Sequence, residues 1–422
     1  MARVAITGIG VLTGLGIGTE ETWRGLVEGR SAVGPIRAFD ASSLRTQLAA
    51  EIPDFDPEQF ATRKALRSMT RNDMFAVAAS ALAARDAGLE AAAEPERAGL
   101  FTASNKEASN LDHILEAALV ARNDDGTVDL RRLGEQATSI FYPLFYVEGL
   151  QAASLFYISQ AYGLKGANAY FAGTGEAGAV AIGTAFRAVR RGEASLAIAG
   201  SFDDGCSWWN ITKFEPLGIL TDRNDLGAEA CRPYDRERSG TVLGEGGAFF
   251  VLEDLDAAAG RGARIYAEVV GFGSSTDTHR LITPDPEGRA LSHAVDSALR
   301  EAGISAGDVG YIVADGTGTR FGDASEAAAL NTTFGSANGA SASSIKPATG
   351  HLVGGAGALN GAVAALALHH GVLPPTLNLR DPDVGFAFDW VRDEAREKPI
   401  DNALAISRGL EGQNVALVFR AP

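Results

Sequence analysis

Apolar runs alternate with stretches of helical pattern along the whole chain. "VAITGIGV" from Val4, "RAGLFTAS" from Arg97, "ASLAIAGS" from Ala194 and "YIVADGT" from Tyr311 are short and bounded by Gly or polar residues, and they read as strands. Between them "RNDMFAVAASALAARDAG" from Arg71 carries helical spacing, and "YIVADGT" leads into a long helical stretch. This alternation predicts parallel sheets covered by helices. No Pro/Ser-rich linker interrupts it, so the pattern describes one compact body.

"NAYFAGTGEAGAVAIG", Asn168 to Gly183, begins like the end of a buried strand and continues like a helix packed through small residues. A turn of that shape usually presents a nucleophile. Here it reads Gly173, Thr174, Gly175, Glu176, with no Cys, Ser or Lys and a single hydroxyl on Thr174. "GTGEAGAVAIGTAFRAVRRGEASLAIAGS" has an echo in "GHLVGGAGALNGAVAALALHHGVLPP" followed by "ALAISRGLEGQNVALVF", each a Gly-rich turn entering an Ala-rich helix that ends in Gly. Two duplicated α/β halves explain the echo, and so does Gly/Ala richness alone.

Composition narrows the partners. The 422 residues are 46% hydrophobic, enough for a sizeable core, and the formal net charge of -16 opposes phosphate backbones and anionic lipid, so neither nucleic acid nor a membrane surface is expected. Cys206 and Cys231 are the only cysteines, and neither HExxH nor CxxC occurs, so no disulfide framework, metal or cofactor is expected and a reducing cytoplasm suits the chain. The start, "MARVAITGIGVLTGLG", lacks a basic region before a continuous apolar block and reads as strand and turn rather than signal peptide. His351 to Leu368 runs eighteen residues without Asp, Glu, Lys or Arg, but its Gly, Ala, Asn and His content predicts a helix buried inside protein.

Ala137 to Leu164, "ATSIFYPLFYVEGLQAASLFYISQAYGL", concentrates aromatic residues where some positions should face solvent. Phe141, Tyr142, Phe145, Tyr146, Phe156 and Tyr157 are either core or the wall of an interface or ligand channel.

Four long phrases in one order carry a resemblance: "VAITGIGVLTGLGIGTEETWRGLVEGRSAVGPIRAFD", "EACRPYDRERSGTVLGEGGAFFVLEDLDAA", "SIKPATGHLVGGAGALNGAVAALALHHGVLPPTLNL" and "LEGQNVALVF". Together they resemble β-ketoacyl synthases, the condensing enzymes of fatty-acid and polyketide assembly, across nearly the whole chain. The resemblance implies a thiolase-like α/β fold, two similar halves in a five-layered α-β-α-β-α arrangement, divided here as 1-255 and 256-422. It also implies a Cys at the elbow, a His in a "HGT" phrase, and a second His in a "GH" phrase with a Lys shortly before it. Ungapped counting from "GLKG" places the Cys position at Gly175. The first His position holds Asp315 in "VADGTGT", whereas Lys346 and His351 match. The "GFGG" phrase reads "GLEG", with Leu410 where a gating Phe is expected and Glu411 where a Gly is expected.

These departures have physical consequences. Gly175 cannot form a thioester, and by analogy with loss of a protease nucleophile the missing group alone costs on the order of a millionfold in rate. An ionised Asp315 about 4 Å from a developing enolate costs roughly 4 kcal/mol at an effective dielectric near 20. Glu176 either complements the backbone N–H groups of its helix, plugs the vestigial pocket or points across a subunit boundary, with Leu410 and Glu411 as further pocket or gate candidates. Lys346 and His351 either hold a polar network together, with Asp315 pairing Lys346, or still assist a weak reaction.

A synthase scaffold without its Cys and one His resembles the chain-length factor of type II polyketide systems. That resemblance implies a heterodimer with a catalytic ketosynthase subunit, acyl carrier protein met through that partner, and a shared polyketide tunnel for which the Phe141–Tyr162 stretch is the candidate wall. The departures at Gly175, Asp315 and "GLEG" lean towards the polyene type over the aromatic. Two alternatives stand beside it: an acyltransferase or malonyl decarboxylase acting alone through Lys346 and His351, and a non-catalytic acyl-binding homodimer.

Overall fold

The computed structural model describes residues 2–107, 110–335, 339–383, 385–386 and 388–422. Its frame is one unit built twice. The first copy runs β1 (Val4–Thr13), α1 (Arg71–Asp86), β2 (Ala98–Ser104), α2 (Ala153–Tyr162), β3 (Asn168–Ala172), α3 (Ala177–Arg190), β4 (Leu196–Asp203) and β5 (Gly246–Asp254). The second runs β6 (Ala267–Thr276), α4 (Arg289–Ala302), β7 (Tyr311–Val313), α5 (Arg320–Phe334), β8 (Ser341–Ser343), α6 (Ala356–His370), β9 (Asn402–Arg408) and β10 (Gln413–Arg420).

Strand order repeats with the elements. The first sheet reads β3-β2-β4-β5-β1 and the second β8-β7-β9-β10-β6, joined where Val4–Ile6 pairs with Ala267–Val269. In both, the first three strands are parallel and the last two junctions antiparallel, so each sheet is mixed rather than parallel as the alternation alone predicts. The reason lies at the end of each copy: β9 turns straight into β10, and the long segment after β4, which carries the helix Trp208–Phe214, re-enters the sheet at the end where β4 stops, with Asp203 opposite Gly246. The echo extends to single residues. Both first strands carry an irregularity, before Gly8 and before Gly271. A Cβ on Gly10 would lie 2.1 Å from the Ala79 carbonyl oxygen, and one on Gly273 would lie 2.0 Å from that of Ala294. Gly at these positions is what lets α1 and α4 lie against their strands.

Side chains alternate across each sheet into separate cores. On β5, Phe250 and Leu252 join the central core with α3 and α6, while Phe249 and Val251 face the opposite core against α1. On β10, Val415, Leu417 and Phe419 point to the centre, and Ala416 and Val418 point outward to the core that holds α4 and α5. The result is the five-layered thiolase-like arrangement. α6 is buried from Ala356 to Leu368 because α3 and the sheets cover it on every side, which is why it lacks charge. Among the described residues no helix is long and apolar enough to cross a membrane.

Candidate functional site

Four turns converge at the C-terminal ends of strands: Gly173–Glu176 after β3, Ala314–Thr319 after β7, Ser344–His351 after β8, and Arg408–Gln413 between β9 and β10. That is where open α/β sheets collect their reactive groups, because backbone and side chains there splay into a crevice. A cavity of about 430 Å³ lies at the junction, lined by Thr174, Asp315, Thr317, His351, Arg408 and Leu410 among others. The sequence phrases around Gly175, Asp315, Lys346–His351 and Leu410–Glu411 therefore name four separate stretches that the fold does bring together.

The elbow is closed. A Cβ on Gly175 would stand 2.4 Å from the Arg408 carbonyl oxygen and 3.5 Å from Cε1 of His351, so the position faces the imidazole but has backbone pressed into the space a side chain needs. The strand leading to it, β3, is a partly exposed edge rather than the buried strand its apolar run suggests, since among the described residues only β2 pairs with it.

Glu176 is the N-cap of α3, with helical φ and ψ of -86° and -23° and no side-chain capping bond. It makes no N-cap bond to the first turn, although the backbone N–H groups of Glu176 and Thr174 still favour its ionised form. The carboxyl instead enters the space beneath the Arg408–Gln413 turn. Thr174 Oγ1 accepts the Leu410 N–H at 2.9 Å and lies 3.2 Å from Glu411 Oε2 and 3.4 Å from Glu176 Oε2. Burial, reinforced by the nearby Glu411 charge, pushes the Glu176 carboxyl up to about 7.

Asp315 does pair with Lys346. The ammonium lies 2.9 Å from Asp315 Oδ1, it also donates to the Asp315 carbonyl, and both side chains are almost fully buried. His351 Nδ1 accepts the Val353 N–H at 3.0 Å, which leaves the ring proton on Nε2. Desolvation, then the Lys346 charge, lowers its pKa to about 3, so the ring is neutral at physiological pH. The site thus offers one neutral imidazole donor, one spent lysine and no thiol.

Two positioning residues escape a sequence reading. Glu326 accepts the N–H groups of Asp315 and Gly316 at 2.8 and 2.9 Å and the Tyr234 hydroxyl at 2.6 Å. Asp323, one turn earlier on α5, accepts from Tyr234 N and Gly318 N. The signal was two carboxylates at i and i+3 in the first turns of a helix directly after the "VADGTGT" turn.

Cys206 and Cys231 are buried and free, and neither lines this cavity; burial pushes the Cys231 thiol up to about 12. The aromatic stretch divides. Phe141 and Phe145 pack with their rings tilted and centroids 4.6 Å apart, and Tyr142 leans on His113 at 5.5 Å, all half-buried. The Tyr157 hydroxyl is spent on Ser68 within the chain, whereas Tyr146 is 77% and Phe156 61% exposed. Leu119 on the helix Leu111–Ala121, Leu130 on the helix Leu130–Ile140 and Val128 between them are exposed as well.

Comparison with known proteins agrees with the geometry. Residues 1–258 match the β-ketoacyl synthase N-terminal domain and residues 266–380 its C-terminal domain. The chain belongs to the β-ketoacyl synthase family. It is 38% identical over 419 residues to 3-oxoacyl-[acyl-carrier-protein] synthase 2 of Coxiella burnetii (strain RSA 493 / Nine Mile phase I), covering 99% of this chain and 98% of that one. It is 36% identical over 425 residues to the oxytetracycline polyketide putative β-ketoacyl synthase 1 of Streptomyces rimosus, covering 100% and 97%. Among solved structures, the ishigamide ketosynthase/chain length factor superposes with a TM-score of 0.89 at 29% identity, covering 100% and 99%. As a β-ketoacyl synthase relative the chain keeps the scaffold that surrounds the chemistry, while the elbow lacks its side chain.

Proposed function

We propose that this chain is a non-condensing chain-length factor: a subunit that pairs with a catalytic ketosynthase and shapes the tunnel in which a type II polyketide, of the polyene type on the sequence departures, is extended. The observation that carries it is Gly175, which has no nucleophile and has Arg408 backbone where one would stand. The concentration of exposed apolar side chains within residues 115–156 supports a protein partner, since side chains of that kind are what an interface core covers. A relative named for an acyl-carrier-protein substrate supports carrier protein as the source of the chain, delivered through the partner.

Solo catalysis as an acyltransferase or decarboxylase through Lys346 and His351 has the ion pair against it. Lys346 is bound to Asp315, which leaves only the neutral imidazole of that pair of residues uncommitted. Co-expression with a Cys-containing ketosynthase from the same gene neighbourhood tests the proposal. A one-to-one complex that makes a chain length altered by mutation in this subunit is the expected result. Homodimers alone under those conditions support the acyl-binding alternative, and turnover of malonyl-carrier protein by the isolated chain supports the solo enzyme.

A further inference from the structure

A second cavity, of about 860 Å³, opens away from the elbow, and Glu148 lies in its wall. Glu148 is 6% exposed, and its Oε2 is buried with no hydrogen-bond partner. The two basic groups whose charge reaches it are committed elsewhere. Lys106 Nζ lies 2.7 Å from Asp73 Oδ2 and donates to Leu150 O at 3.0 Å, while His113 stands 3.9 Å from Glu116. Asp73, whose charge also acts on Glu148, has its own Oδ1 buried without a partner. Burial pushes the Glu148 carboxyl up against the pull of His113 and Lys106, so the fold supplies less than an ionised carboxylate needs.

The rest of the wall adds acid rather than base. Among the described residues six carboxyl groups line the cavity against two guanidiniums. Arg71 is held by both oxygens of Glu245, and Glu51 accepts the Arg37 and Ala38 N–H groups. Asp204 accepts from Asn210 at 3.1 Å through Oδ1. Asp54, Asp112 and the second guanidinium, Arg37, are exposed, and the charges that act on Glu148 are those of His113, Lys106 and Asp73 rather than Arg37. The cavity thus suits a cation, with Trp208 and Phe39 as aromatic wall.

The position of Glu148 says where that cation comes from. Leu144, Tyr146, Val147 and Leu150 flank it in sequence, and all four are exposed apolar side chains. An unpaired buried carboxylate among exposed apolar groups is one half of an interface hot spot: the apolar groups exclude water, and the charge is matched from the other side. We propose that this cavity takes a lysine or arginine side chain of the catalytic ketosynthase, with Glu148 as its counter-ion. The inference rests on the reading of this chain as a ketosynthase's partner, and it names the chemistry by which that partner is chosen.

Surface plasmon resonance of the full chain over the immobilised Cys-containing ketosynthase from the same gene neighbourhood, together with the Tm of the chain alone, tests it. Glu148→Gln should weaken binding by about tenfold or more, and Glu148→Lys should abolish it. The Tm of the isolated Glu148→Gln chain should be no lower than that of wild type, because the substitution removes a buried charge that has no partner within the chain. Glu148→Gln binding as tightly as wild type overturns this inference and leaves the chain-length-factor reading standing. A lower Tm for the isolated Glu148→Gln chain also overturns it, since Glu148 would then serve the chain's own fold. Wild type that does not bind the ketosynthase at all removes the parent reading and this inference with it.

Discussion

Gly175→Cys restores the sulfur that the elbow lacks and tests whether its absence is the only obstacle to covalent chemistry. A Cβ there falls 2.4 Å from the Arg408 carbonyl oxygen, well inside the 3.0 Å that real Cβ atoms keep. The opposing atom is backbone, in a turn pinned by Leu410 N–H to Thr174 at 2.9 Å and by Gly409 N–H to Gln413 O at 2.8 Å, so it cannot rotate away like the tip of a side chain. Overpacking of this kind costs about 1–3 kcal/mol, which in a chain of this size lowers Tm by a few degrees. Gly175→Ala carries the same Cβ and should lose the same amount, because the clash lies at the first carbon rather than at sulfur. The restored thiol would also meet a lysine already neutralised by Asp315 and the Glu176 carboxyl, conditions that disfavour a thiolate. Differential scanning calorimetry on both variants, and intact-mass spectrometry after incubation with an acyl thioester, measure the two halves of this expectation: equal destabilisation and negligible adduct. A Gly175→Cys protein as stable as wild type that takes up one acyl group refutes the reasoning.

Asp315→Leu strands the buried Lys346 ammonium and should cost about 3–5 kcal/mol in urea denaturation, whereas Asp315→Leu with Lys346→Met should recover most of it; equal losses would show that the pair is not coupled. His351 should show no imidazole titration by NMR between pH 5 and 9. Because its folded pKa lies below the unfolded value, its contribution to stability is present above about 6.5 and is lost as pH falls towards 3. Leu130→Asp and Tyr146→Asp, both at exposed positions, should leave Tm nearly unchanged yet abolish co-purification with the ketosynthase; retained binding would move the interface elsewhere.

Some of this was settled before any folding. The absence of sulfur at position 175 and of imidazole at position 315 is a matter of which atoms the chain owns, and ungapped spacing from neighbouring phrases was enough to see it. The duplicated halves were visible too, because each copy repeats the same local requirement for a Gly-rich turn entering a small-residue helix. The period of the apolar runs, however, does not carry strand direction, so the antiparallel β4/β5 and β9/β10 junctions were missed. It also does not distinguish an edge strand from a central one, which is why β3 read as buried. The closed elbow depends on Arg408, and the spent lysine on Asp315; these partners lie far along the chain and meet only when two sheets stack about α3 and α6. Tyr157 and Tyr146 belong to one aromatic run and part company because packing turns one hydroxyl onto Ser68 and leaves the other ring in solvent. Residue type decided what chemistry was impossible; only long-range packing, which no local pattern encodes, decided what now fills the space.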